Sequence, residues 1–197
     1  MPLLPLAPYS FPKHLFGDLE ATELLSFNWL VLHTKPRAEK KLAERLFQKQ
    51  IGFFLPVFNR TWRHNGRRLT SHLPLFPGYL FLLNDELNER KFSAFSTGLV
   101  AGYLPVFDQT RLQRELAQIH QLIVSEVPLA PEDRLGPGKP VEIVAGPLKG
   151  MEGIIVRRNA SLRFVVQVDF IQRGASVEVE SWMVRPLIPS AAEAIMN

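Results

Sequence analysis

The sequence predicts an α+β fold in two parts: a mostly antiparallel sheet with packed helices, then a small all-β domain. Three observations carry this. Between Asn28 and Val124, strand-like apolar runs alternate with segments of helical period. A stretch rich in Pro, Gly and acids, 125–138, interrupts that pattern. Beyond it the periodicity is β alone. The 197 residues leave room for one large domain or two small ones, at roughly 100–200 residues each. Apolar residues make up 46% and charged residues 21%, which excludes disorder for most of the chain. The absence of cysteine excludes disulfides and thiolate chemistry and suits a reducing compartment, so we expect a cytoplasmic protein. No apolar run reaches the ~18–20 residues of a membrane span.

Residues 1–27 carry Pro2, Pro5, Pro8 and Pro12, which forbid a continuous helix. No basic segment precedes an apolar core there, so we expect a flexible or loosely docked arm rather than a secretory signal. Trp29 to His33 is an apolar run suited to a buried strand. Thr34 can cap a following helix and Pro36 suits its first turn; Ala38, Leu42, Leu46 and Phe47 recur at helical spacing. Phe53 to Phe58 returns to β composition, with Pro56 marking an edge or bulge. Asn65-Gly66 predicts a tight hairpin with Arg63, Arg67 and Arg68 at its tip. Leu80 to Leu83 continues as a strand, and Asp85 can cap a helix that Gly98 ends. Leu99 to Phe107 reads as an irregular strand. Leu112, Leu116, Ile119, Leu122 and Ile123 mark a third amphipathic helix.

This assigns 28–124 to the first domain, 125–138 to a linker, 139–188 to the second domain and 189–197 to a tail. In the second domain, strands are expected at 141–144, 153–156, 164–168 and 177–179. Turns are expected at Gly146-Pro147, Asn159-Ala160 and Arg173-Gly174. The β-branched residues and the glycines disfavour any helical alternative by several kcal/mol, at up to ~0.7 kcal/mol per β-branched residue and ~1 per glycine. A constitutive β-barrel follows.

The net charge of +4 is unevenly placed. Lys35 to His72 holds ten Lys/Arg against Glu39 and Glu44, a local +8. Such a segment is either a solvated basic face or the footprint of a polyanion. The catalytic motifs are missing: no HExxH, no GxSxG, and Gly146, Gly150 and Gly153 match neither a phosphate loop nor a dinucleotide fingerprint. We therefore expect no enzyme, no cofactor and no metal. In Phe76-Pro-Gly-Tyr-Leu-Phe81, Tyr79 and Phe81 share one strand face and Leu80 and Leu82 the other. Tyr79 and Phe81 are then either core or an exposed aromatic interface.

The run from Trp29 to Lys35 with its basic helix, together with Leu75 to Phe81, resembles the N-terminal (NGN) domain of the NusG family. Val141 to Ile155 resembles that family's KOW motif, which forms an SH3-like barrel. The resemblance spans 28–188 in the family's domain order. It implies a transcription elongation or antitermination factor, acting as a monomer across the cleft of RNA polymerase. The implied contact with the clamp coiled coil of the largest subunit comprises His33, Phe76, Pro77, Tyr79, Phe81, Ile119 and Leu122, with Trp29 as core beneath. Lys35, Arg37, Arg63, Arg67, Arg68, Arg90 and Lys91 are the implied contacts to upstream or non-template DNA. The second domain would recruit a ribosome or a termination factor. The long arm and the basic hairpin tip point toward a specialised paralog similar to RfaH-type antiterminators. KOW barrels also occur in ribosomal RNA-binding proteins, but the Phe-Pro-Gly-Tyr strand is not a KOW feature.

Overall fold

Strands buried on both faces form the heart of the first sheet. In the computed structural model, residues 8–13, 15–17, 27–85, 87–133, 136–158 and 161–187 are described. The expected Asn159-Ala160 turn, the tail 189–197 and much of the arm lie outside them. The first elements are β1 (Ser10–Phe11), β2 (Phe27–Thr34), α1 (Glu39–Gln48), β3 (Phe53–Phe54), β4 (Val57–His64) and β5 (Arg67–Pro74). Next come β6 (Tyr79–Asp85), α2 (Glu89–Phe95), β7 (Val100–Pro105) and α3 (Gln109–Val124). The sheet order is β1-β3-β6-β2-β7, all antiparallel, and β4–β5 is a separate ribbon.

One face of this sheet, with Leu30, Leu32, Phe53, Leu80 and Leu82, packs with Leu42 and Leu46 of α1 and Ala94 of α2. On the opposite face Trp29, Val31, Phe54, Phe81 and Leu83 are also buried. There α3 is tied down through Trp29. Gln109 Oε1 accepts from the Trp29 backbone N–H at 2.6 Å, and Gln113 Oε1 accepts from the indole N–H at 2.5 Å. Each large apolar side chain buried in this way contributes about 1.5–3 kcal/mol.

The local signals act as expected at two places. Asp85 Oδ1 accepts from the Glu89 N–H at 2.8 Å and caps α2. Asn65 and Gly66 have φ of 48° and 75°, the type I′ turn that matches hairpin twist. Elsewhere tertiary pairing overrides them. Thr34 does not cap α1, which starts at Glu39 after a turn at Pro36 and Arg37. The Thr34 N–H is held by the Gly78 carbonyl and the Lys35 N–H by the Leu99 carbonyl, both at 2.9 Å, so the chain stays extended past the cap position. The expected strand Phe53–Phe58 splits at Pro56 into β3, within the sheet, and β4, within the ribbon.

By its contacts the chain divides into two compact units, Met1–His120 and Gln121–Asn197. The second contains β8 (Leu129–Glu132), β9 (Lys139–Ile143), β10 (Glu152–Arg158), β11 (Ser161–Val168), β12 (Arg173–Glu178) and β13 (Val184–Pro186). They form an antiparallel sheet ordered β13-β9-β10-β11-β12-β8. Two expectations are corrected here. Residues 129–132 are not linker but an edge strand paired with β12. A buried polar knot holds them: Glu132 Oε1 accepts from the Ser176 hydroxyl at 2.6 Å, and Arg163 Nε donates to the same hydroxyl oxygen at 2.9 Å. Arg173 and Gly174 are not a turn but the start of β12. The reversal comes earlier, in the 3₁₀ turn Asp169–Ile171 with Gln172 at φ 52°. At Gly153 a Cβ would lie 2.6 Å from the Val165 carbonyl oxygen, so only glycine lets β10 and β11 approach this closely.

Candidate functional site

The site grows from the turn Phe76–Tyr79. Gly78 adopts φ 87°, open to glycine and costly for other residues. Its N–H donates to the buried Glu39 carboxylate at 2.8 Å, and its carbonyl accepts from Thr34. This clamp joins α1, the end of β2 and the start of β6. It sets Tyr79 opposite His33, with rings 5.3 Å apart and nearly perpendicular. His33 and Pro77 are exposed and Tyr79 is half-buried.

The other docking residues implied by the resemblance are not at the surface. Phe76, Phe81, Ile119 and Leu122 are 1% exposed or less. Phe76 meets Phe81 edge-on at 6.3 Å, and Phe81 lies opposite Phe54. Of the two readings that the sequence leaves for Phe81, the fold shows the buried one, because a second layer covers the strand face that carries it.

That layer includes the arm as well as α3. β1 pairs with β3, Ser10 opposite Phe54 and Phe11 opposite Phe53, and the Tyr9 carbonyl accepts from the Leu55 N–H at 2.7 Å. Phe11 packs edge-on to Phe47 of α1, on one side of the sheet. Phe16 sits on the other side, stacked parallel to Trp29, edge-on to Phe54 at 4.8 Å and 4.9 Å from the His120 ring of α3. The arm thus wraps the β3 edge from one face to the other. Burial lowers the pKa of His120 from its ordinary value and raises that of Tyr9. The Tyr9 hydroxyl is buried without a hydrogen-bond partner.

The basic residues occupy a different surface. Arg63 faces Arg68 and His64 faces Arg67 across the β4–β5 ribbon, and all four are exposed. Like charges directly opposite each other destabilise a hairpin. Residues 45–84 contain no acid, and among the described residues no ion pair involves the ribbon arginines. Sequence reasoning passed over Trp62. It is 43% exposed, paired with Leu69, and shares a ribbon face with Arg60 and Arg67 by strand alternation. A tryptophan inside a cationic hairpin was the signal that marked it.

Lys35 and Arg37 are exposed at the end of β2. Arg90 and Lys91 are already engaged within the fold. Arg90 lies over the Phe27 ring at 4.2 Å, donates to the Leu83 carbonyl and pairs with Asp85. The Lys91 ammonium lies over the Tyr103 ring at 4.7 Å. Among the described residues no cluster of His, Asp or Glu could hold a metal, and no helix is long and apolar enough to cross a membrane.

The fold is of the α+β class, with an aromatic pair at one end of its first sheet and a ribbon that carries cations and no acid. Residues 27–124 match the family model described as transcription termination factor NusG. Through this domain the chain belongs to the NusG family of transcription factors. Among solved structures it is similar in fold to Thermotoga maritima NusG, at 21% identity and a TM-score of 0.50, over 84% of this chain and 99% of that one. Two conformations of an MjSpt4:Spt5 complex align at 16% identity, over 81% of this chain and 97% and 96% of theirs, with TM-scores of only 0.27 and 0.28. No curated protein matches in sequence.

Proposed function

We propose that this protein is an elongation or antitermination factor whose first domain docks on the clamp coiled coil of RNA polymerase's largest subunit. The observation that carries the reading is the His33–Tyr79 pair, uncovered at the end of an otherwise buried aromatic face and locked in place by Glu39 and Gly78. With Pro77 it forms a small apolar contact of the kind that anchors interfaces. The ribbon supplies the second contact. Arg63, Arg67 and Arg68, with Lys35 and Arg37, meet the phosphates of upstream or non-template DNA, giving affinity without sequence information.

A protein that grips both the clamp and the nucleic acid binds the closed cleft better than the open one. It shifts the clamp toward closure by that difference in affinity, and closure disfavours pausing. The second domain recruits a further partner, a ribosome or a termination factor. Site-directed cross-linking from position 79 to core polymerase, followed by mapping of the cross-linked peptide, tests the reading. A cross-link in the clamp coiled coil supports it. A protein that enriches ribosomal subunits and leaves polymerase behind is instead a ribosomal RNA-binding protein.

A further inference from the structure

The end of the arm that carries Phe16 is seated on the same face as the His33–Tyr79 pair. On β2 the residues Trp29, Val31 and His33 alternate onto that face, opposite Leu83, Phe81 and Tyr79 of β6. It is one continuous surface, open at the His33–Tyr79 end and closed at the Trp29 end by Phe16 and α3. We infer that the groove between β3 and α3 is part of the polymerase-docking surface, and that the arm occupies it as an internal ligand which polymerase displaces. The inference rests on the docking proposed above.

The arm's contacts suit a removable strap. It joins the sheet by a two-residue strand and the Tyr9–Leu55 hydrogen bond. Its anchors among the described residues include the apolar Phe11, Leu15 and Phe16. One polar atom works against it. The Tyr9 hydroxyl loses water on docking and gains no partner, and such an orphan carries the full desolvation penalty. Phenylalanine at position 9 would keep the ring against His72 and remove that penalty. The arm as built is therefore seated more weakly than a one-atom change would make it.

Two substitutions push the strap in opposite directions. Phe16→Ala empties the aromatic socket and raises the open fraction; Tyr9→Phe lowers it. Apparent affinity scales with the competent fraction, so we expect Phe16→Ala to bind core polymerase up to about tenfold more tightly than wild type, and Tyr9→Phe several-fold more weakly. Amide exchange at Leu55, whose N–H is held by the Tyr9 carbonyl, reports arm opening without polymerase. It should quicken in Phe16→Ala and slow in Tyr9→Phe, while exchange in β6 stays protected in both.

If all three proteins bind polymerase equally although Leu55 exchange has shifted, the strap is wrong and the docking stands. The same holds if Phe16→Ala binds more weakly with β6 still protected. Failure of all three to bind polymerase overturns the docking and the strap together. Should Phe16→Ala unfold, Tyr9→Phe still decides the matter alone: unchanged affinity with slowed exchange rejects the strap.

Discussion

The Phe76–Phe81 strand and the β4–β5 ribbon both stood out in the sequence, and the fold treats them in opposite ways. The ribbon turns its charged and aromatic side chains to solvent. The strand is buried on both faces except at its two ends, Tyr79 and Asp85. Strand alternation shows which residues share a face and says nothing of what covers it. Charge density works differently. Three arginines at a two-residue turn cannot be buried without partners, so their exposure follows from composition alone.

The sharpest way to break this contrast is Phe81→Ala. A core aromatic truncation costs ~3–5 kcal/mol, and a thermal melt should show it. An unchanged melt together with lost polymerase binding would return Phe81 to the surface. Tyr79→Ala should do the reverse. Binding to polymerase should fall by ~2 kcal/mol, as expected of an interface hot spot, with the melting temperature little moved.

Glu39→Ala joins the two cases, because it leaves the Gly78 N–H unpaired in a half-buried turn. We expect a loss of ~1–3 kcal/mol in stability and weaker polymerase binding as His33 and Tyr79 lose their register. Full binding by this variant would show that the clamp does not position the pair.

For the ribbon, Arg67→Ala with Arg68→Ala should leave stability within ~0.5 kcal/mol. It should flatten the salt dependence of binding to a nucleic-acid-loaded complex by about one slope unit per lost phosphate contact. An unchanged slope would reduce the ribbon to a solvated charged loop.

The smallest effect concerns His120, whose pKa burial against Phe16 and Phe54 lowers from 6.5. The unfolded chain takes up its proton first as pH falls. The stability that the neutral ring contributes is therefore complete above pH 6.5 and is lost as the pH drops from there toward the folded value. His120→Phe should flatten the melting profile across that window, and a profile identical to wild type would reject the buried neutral imidazole.

Much of the fold was legible from residues alone. The Asn65-Gly66 turn, the Asp85 cap, the helical period of Leu112, Leu116 and Ile119, and the β-only second domain all rest on local preferences that the fold keeps. Less of the candidate site was legible. The ribbon cations stood out by charge, but Trp62 was hidden among them, and Arg90 and Lys91 showed no sign of Phe27 and Tyr103 beneath them.

What the sequence determined by itself is whatever one segment decides within a few residues: turn type, period, a charge that must meet water. The tertiary structure alone decided the rest. Thr34 ends a strand instead of capping a helix, because carbonyls 44 and 65 residues away, at Gly78 and Leu99, hold the backbone extended there. Residues 129–132 join a sheet because β12 and the Glu132–Ser176 contact lie waiting some 40 positions later. Phe16, unremarkable in a proline-rich arm, covers an aromatic face because Trp29, Phe54 and His120, distant in the chain, meet at one point. Burial is a property of such meetings, and no window of sequence contains them.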